Sequence, residues 1–162
     1  MIDKSKRNLL KGVKNPFSFL INPPYYKDKS LFIECFECET KECLLVCEEK
    51  IIIIENEVPI IDFKNGGCSF CDECAKVCPK DVLNVEDKKD KLNCEIFINP
   101  KKCMAWNQTI CFSCFDVCNE KAIIFKGMFN PIIDETKCSS CGMCVSVCPS
   151  ESMEILRGVE NV

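Results

Sequence analysis

Apolar residues fall in short blocks along this chain, separated by polar turns. IIIIENEVPIIDF, residues 51–63, predicts a strand, a turn near Glu55-Asn56-Glu57 and a returning strand. AIIFKGMFNPIID, residues 122–134, repeats that pattern and predicts a second hairpin. Between them, DVLNVEDKKDKLNCEIFINP (81–100) holds two β-like stretches around a charged turn at residues 86–90. SMEILRG, from Ser152, closes the fold. At the front, the apolar FSFLI is stopped by Asn22-Pro23-Pro24, and Pro23-Pro24-Tyr25-Tyr26 reads as an extended connector. The longest apolar runs are four or five residues, so nothing is expected to span a membrane.

Cysteines stand between these blocks. The chain has 17 in 162 residues, with no histidine. All but Cys94 lie in four groups. CSFCDECAKVCP, residues 68–79, spells C-x2-C-x2-C-x3-C-P, the ligand run of bacterial 4Fe–4S ferredoxins. Two-residue gaps let Cys68, Cys71 and Cys74 wrap three corners of one cubane. A short helical turn then carries Cys78 away, and Pro79 ends that turn. CSSCGMCVSVCP, residues 138–149, has the same spacing through Cys138, Cys141, Cys144 and Cys148. The first group, Cys35, Cys38, Cys43 and Cys47, is spaced x2, x4, x3 and has Glu48 where proline is usual. The third, Cys103, Cys111, Cys114 and Cys118, is spaced x7, x2, x3 and is followed by Asn119. With two extra residues and no proline, the first group is expected to make the looser wrap. The insertion in the third group holds the only tryptophan, Trp106, expected to pack over a cluster.

A single frame relates the two halves. Cys68, Cys71, Cys74 and Cys78 recur 70 residues on, CEEKIIII at Cys47 recurs as CNEKAIIF 71 on, and PIID at Pro59 recurs 72 on. Agreement across strands as well as cysteines predicts an internal repeat. The expected fold is α+β: two tandem bacterial-type two-[4Fe–4S] ferredoxin modules related by an internal repeat of about 70 residues. They would span residues 31–90 and 91–157, after a basic tail and connector over 1–30 and before a frayed end at 158–162. In two-cluster ferredoxins the fourth cysteine of a run serves the other cluster. The expected ligand sets are Cys35, Cys38, Cys43 with Cys78; Cys68, Cys71, Cys74 with Cys47; Cys103, Cys111, Cys114 with Cys148; and Cys138, Cys141, Cys144 with Cys118. Cys94 is left over and is expected to be a buried strand residue. Zinc prefers isolated tetrahedral sites, usually paired C-x2-C knuckles, so runs of four with a trailing proline favour cubanes. Each module has too little core to fold without its metal.

Composition narrows the function. An odd cysteine count in tight groups without a secretory signal argues against a disulfide scaffold. Residues 1–14 carry a side-chain balance of +4, which leaves −8 on the remainder. Four bound cubanes would each add about −2, taking the body to about −16. An acidic body with a basic tail suits protein partners rather than nucleic acid. SKRNLLK resembles a degraded twin-arginine signal, but no cleavage site follows, so a retained cytoplasmic tail is expected, able to serve as a docking arm. Every cluster is expected to be fully ligated, leaving no open iron and therefore no bond chemistry of the chain's own.

The whole layout resembles the NapF family, ferredoxin-type accessory proteins encoded with periplasmic nitrate reductases. The resemblance rests on the basic SKRNLLKG start, NPPY, DFKNGGCSFCDECAKVCP, the x7 gap from Cys103 to Cys111, KAIIF after Cys118, and CSSCGMCVSVCP. It covers nearly the whole chain. It implies a cytoplasmic protein that contacts the molybdenum-containing catalytic subunit before export and supports its maturation, together with redox partner proteins. Two other roles fit the same residues: an electron-wire subunit of a larger oxidoreductase, and a maturation chaperone whose clusters are structural.

Overall fold

The computed structural model describes residues 19–157. The basic tail and residues 158–162 lie outside that range. Elements run in the order 3-10 helix Lys29–Glu37, α1 (Glu42–Leu45), β1 (Ile52–Glu55), β2 (Val58–Ile61), α2 (Glu73–Lys76), 3-10 helix Val85–Asp87, β3 (Cys94–Ile98), α3 (Ser113–Asp116), β4 (Ile123–Lys126), β5 (Phe129–Ile133), α4 (Met143–Ser146) and β6 (Met153–Arg157). Each α element is a single turn. Pro79 and Pro149, just beyond α2 and α4, cannot continue a helix.

Both expected hairpins form. β1 and β2 pair antiparallel from Ile52↔Ile61 to Glu55↔Val58. Their two-residue turn puts Asn56 and Glu57 at φ 47° and 65°, the left-handed pair whose twist matches the strands. β4 and β5 pair from Ile123↔Ile133 to Lys126↔Phe129, with a register shift between Phe125 and Lys126. That turn uses Gly127 at φ 78°.

The stretch at residues 81–100 forms one strand, not two. Val82 and Leu83 are buried without a strand partner, and Asn84 accepts from Glu86 N to start a 3-10 turn instead. A strand needs a ladder, and the charged turn at 86–90 does not fold back to provide one. β3 finds its partner at the other end of the second half, pairing with β6 from Cys94↔Arg157 to Ile98↔Met153.

The segment that reads as a connector is buried. Ile21, Tyr25 and Tyr26 join Phe32, Ile51, Val58, Leu83, Leu92 and Cys94 in the larger core, against which Val145 and Ile155 pack from the second half. The chain at Ile21 runs beside the first hairpin, where Ile61 N donates to its carbonyl. Asn22 is buried, with Nδ2 donating to Pro59 O at 3.0 Å and its backbone N to Asn93 Oδ1 at 3.2 Å. Those bonds offset part of the cost of burying its amide. A smaller core gathers Ile96, Cys114, Ile123, Cys144 and Met153.

Unusual backbone angles recur at a constant interval. Phe70 and Ser140, Asp72 and Gly142, and Asp81 and Glu151 form pairs 70 residues apart, all at positive φ. Lys50 and Lys121 form another, 71 apart. Left-handed backbone is costly for residues other than glycine, so its recurrence reflects a shared local geometry.

Candidate metal centres

Four cysteines surround each of three small apolar cavities. Cys35, Cys38, Cys43 and Cys78 line one, together with Pro59, Pro79 and Leu83 (the Cys35 site). Cys47, Cys68, Cys71 and Cys74 line another under Pro23, Pro24 and Tyr25 (the Cys68 site). Cys118, Cys138, Cys141 and Cys144 line the third with Ile96, Ile123 and Ile133 (the Cys138 site). The fourth expected set also comes together, since Cys103, Cys111 and Cys148 all lie near enough to Cys114 to raise its thiol (the Cys103 site). In each case three cysteines come from one group and the fourth from its partner group. Cys94 joins none of these sets. It is fully buried on β3, with Sγ 3.9 Å from Ser140 O.

The donor chemistry suits an iron–sulfur cluster. Thiolates are soft ligands that select such clusters or zinc. A zinc ion would need its sulfurs about 2.3 Å from one point. Among the described residues, no three His, Cys, Asp or Glu side chains close on a single-ion position. The cysteines instead ring cavities. Burial pushes the Cys35 thiol up to about 12 and those of Cys43, Cys68 and Cys114 up to about 11. Neighbouring thiols reinforce the shift at each. Metal binding must therefore displace protons.

Hydrogen bonds to sulfur differ between the halves. Leu83 N approaches Cys78 Sγ at 3.5 Å, and Ala122 N donates to Cys118 Sγ at 3.3 Å. Cys148 Sγ has Ser152 N at 3.3 Å, Ser152 Oγ at 3.2 Å and Ser150 Oγ at 3.7 Å. Burial opposes ionisation of Cys148, yet these serines together hold its thiol below the ordinary value. Donors of this kind favour a charged sulfur.

Several positioning residues escape the cysteine pattern. Lys41 sits inside the x4 insertion at φ 47°, where its Nζ donates to Cys35 O and to Glu57 O (2.8 Å) and pairs with the Glu57 carboxylate at 3.0 Å. The insertion is thus pinned to the hairpin turn, and the first wrap is not the loose one its spacing suggests. Tyr25 accepts from Asp72 N at 3.0 Å, which locks the approach to α2. Burial, the largest influence, raises the Tyr25 phenol well above its ordinary range, so it stays protonated. Trp106 is partly exposed and donates from Nε1 to Pro131 O at 3.0 Å, tying the x7 insertion to β5. The lysine, the tyrosine and the tryptophan were visible in the sequence, but nothing local marked their partners.

A family model for a 4Fe-4S binding domain matches residues 131–154, which contain the fourth cysteine group. Over 154 residues the chain is 32% identical to the ferredoxin-type protein NapF of Escherichia coli strain K12, covering 91% of this chain and 92% of that protein. The chain belongs to the NapF family of ferredoxin-type proteins. The NapF of Haemophilus influenzae is 30% identical over 138 residues, 80% of this chain and 74% of its own length. A more distant relative is the methylamine utilization ferredoxin-type protein MauM of Methylobacillus flagellatus, 24% identical over 162 residues, 86% of this chain and 68% of its own. As a NapF-family chain this is an iron–sulfur protein with an electron-transfer or accessory role. Among the described residues, no helix is long and apolar enough to cross a membrane.

Proposed function

We propose that the chain holds four 4Fe–4S clusters in two tandem two-cluster modules, residues 31–90 and 91–157, with ligands at the Cys35, Cys68, Cys103 and Cys138 sites. It serves one-electron transfer in the cytoplasm, supporting maturation of the molybdenum-containing catalytic subunit of periplasmic nitrate reductase before export. The observation that carries the reading is the ringing of each cavity by three cysteines of one group and one of its partner group. The recurrence of positive-φ residues at one interval supports the tandem arrangement. Family membership supports the biological setting.

The residues divide the work simply. Each cysteine triplet wraps one side of a site, and the fourth thiol closes it from the neighbouring turn. A cluster held by these thiols would supply one-electron chemistry with no protein bond made or broken. Buried prolines and Tyr25 at the Cys68 site, and isoleucines at the Cys138 site, cover one side of each cysteine set, while Cys71 stands exposed. Ser152 and Ser150 direct donors at Cys148. An acidic body and a basic tail offer partners charges of opposite sign.

Anaerobic purification with an iron count and identification of co-purified protein tests this. About sixteen irons are expected, four for each cubane, and the nitrate reductase precursor should be retained. Cys94→Ser should leave the count unchanged. Loss of a whole cluster's iron in that variant would show that the ligand frame is wrong. Absence of the precursor, with iron intact, would favour an electron-wire subunit of another oxidoreductase.

A further inference from the structure

The two halves touch at their cysteine loops. Cys68 N donates to Cys141 O at 2.7 Å, a direct backbone bond between the Cys68 and Cys138 sites. The approach depends on two glycines. A Cβ at Gly67 would fall 2.6 Å from Cys141 O and closer still to Met143 N, both backbone atoms that cannot swing aside. At Gly142, φ is 85° and the Phe63 ring occupies the space a side chain would need. The loop is held from a third direction by Leu92 N, which donates to Ser139 O at 3.0 Å, and by Ser140 Oγ, which donates to Cys94 O at 2.7 Å.

Within each half the sites also adjoin. α1, which carries Cys43 of the Cys35 site, packs against α2, which carries Cys74 of the Cys68 site. α3, with Cys114 of the Cys103 site, packs against α4, with Cys144 of the Cys138 site, and both cysteines lie in the smaller core.

Resting on the four-site reading above, we propose that the contact at Gly67, Cys68, Cys141 and Gly142 orders the sites as one line. The Cys35 site comes first, then the Cys68 and Cys138 sites, and the Cys103 site last. Electrons cross between the halves at Cys68–Cys141, and the two irregular groups stand at the ends. One electron leaves a reduced site and enters an oxidised one, with no bond changed. The donor and the final acceptor are one-electron redox proteins that meet the chain at opposite ends. The sequence order of the groups, first to fourth, is therefore not the order of the route.

The test uses full-length protein, purified anaerobically and reduced with dithionite, with electron paramagnetic resonance reading magnetic coupling between adjacent reduced sites. Cys71→Ser removes an inner site. It should leave the Cys35 site isolated, as an unsplit signal of about one spin. Cys141→Ser should isolate the Cys103 site in the same way. Cys38→Ser and Cys111→Ser remove end sites and should leave no isolated signal. The opposite pattern, with isolated spins from the end variants alone, would overturn the order. Gly67→Ala replaces no ligand and guards against Cys variants that shed several clusters. It should weaken coupling between the halves at unchanged iron, and any iron it does lose should come from the two inner sites. Unchanged coupling, or iron lost first from the end sites, counts against the proposal. A wild-type count well short of about sixteen irons would instead sink the four-site reading, whatever the order.

Discussion

The two halves carry the same cysteine plan on different supports. The first half rests on a large apolar core, with Tyr25, Phe32, Ile51, Val58 and Leu83 each at most 2% exposed. Among the described residues it has no outer sheet. Two 3-10 helices and the buried segment at residues 21–26 take that place. The second half has the outer β3–β6 pair but a smaller core, and leaves Phe112, Phe115 and Ile110 exposed around its x7 insertion. Charge differs as well. Residues 34–49 carry six glutamates against Lys41, whereas residues 101–121 carry three lysines against Asp116 and Glu120. The same arrangement of cysteines can therefore be held by packing in one place and by strand pairing in another, and the different surroundings should give the two halves different potentials.

The largest expected effect tests the cores. Phe32→Ala removes a ring that is 0% exposed and should cost about 3–5 kcal/mol. Phe125→Ala, on a partly buried ring touching Phe112 and Phe115, should cost about 1–2 kcal/mol. Anaerobic denaturation of the iron-loaded variants measures both. Equal losses would remove the asymmetry between the cores.

Next comes the pinned insertion. Lys41→Met removes two bonds to carbonyls and one ion pair, for about 1–3 kcal/mol. Its signature is faster loss of about four irons in air, all from the Cys35 site. Iron release at the wild-type rate would mean that the spacing itself holds that wrap.

A smaller effect concerns potential. Donors to sulfur stabilise the reduced, more anionic cluster, so they raise its potential. The bonds at Cys148 and the milder charge around residues 101–121 act together, and the Cys103 site should titrate above the Cys35 site. Ser152→Ala should lower the Cys103 site by about 40 mV, the equivalent of about 1 kcal/mol for one electron. A redox titration that leaves that component in place would assign the difference to charge alone.

The smallest effect is that of the surface glutamates. Glu39→Gln with Glu42→Gln should raise the potential of the Cys35 site slightly, because both side chains are exposed. Screening within about 10 Å at 0.1 M salt should shrink the shift further as salt rises. A salt-independent shift would point to altered packing instead.

Much of this chain was legible locally. Cysteine spacing confines the reach of three ligands to one or two turns, so each triplet could be read without knowing the fold. The hairpins were equally plain, since apolar blocks flank turns that accept positive φ at Asn56, Glu57 and Gly127. Residues 82–85 misled because an apolar stretch looks like a strand until its partner is sought. The Lys41 insertion misled because extra length reads as slack, while its lysine reaches 16 residues along the chain to Glu57.

The sequence by itself determined the iron–sulfur type of centre and the two hairpins, because these depend on short-range spacing. Tertiary structure decided which strand pairs with β3, that Pro23 to Tyr26 is core, and that the loop at Gly142 meets the loop at Gly67. These contacts join residues some 50 to 75 positions apart. They are chosen by which surfaces bury apolar area together and leave no backbone group unpaired, a competition settled only when the whole chain is packed.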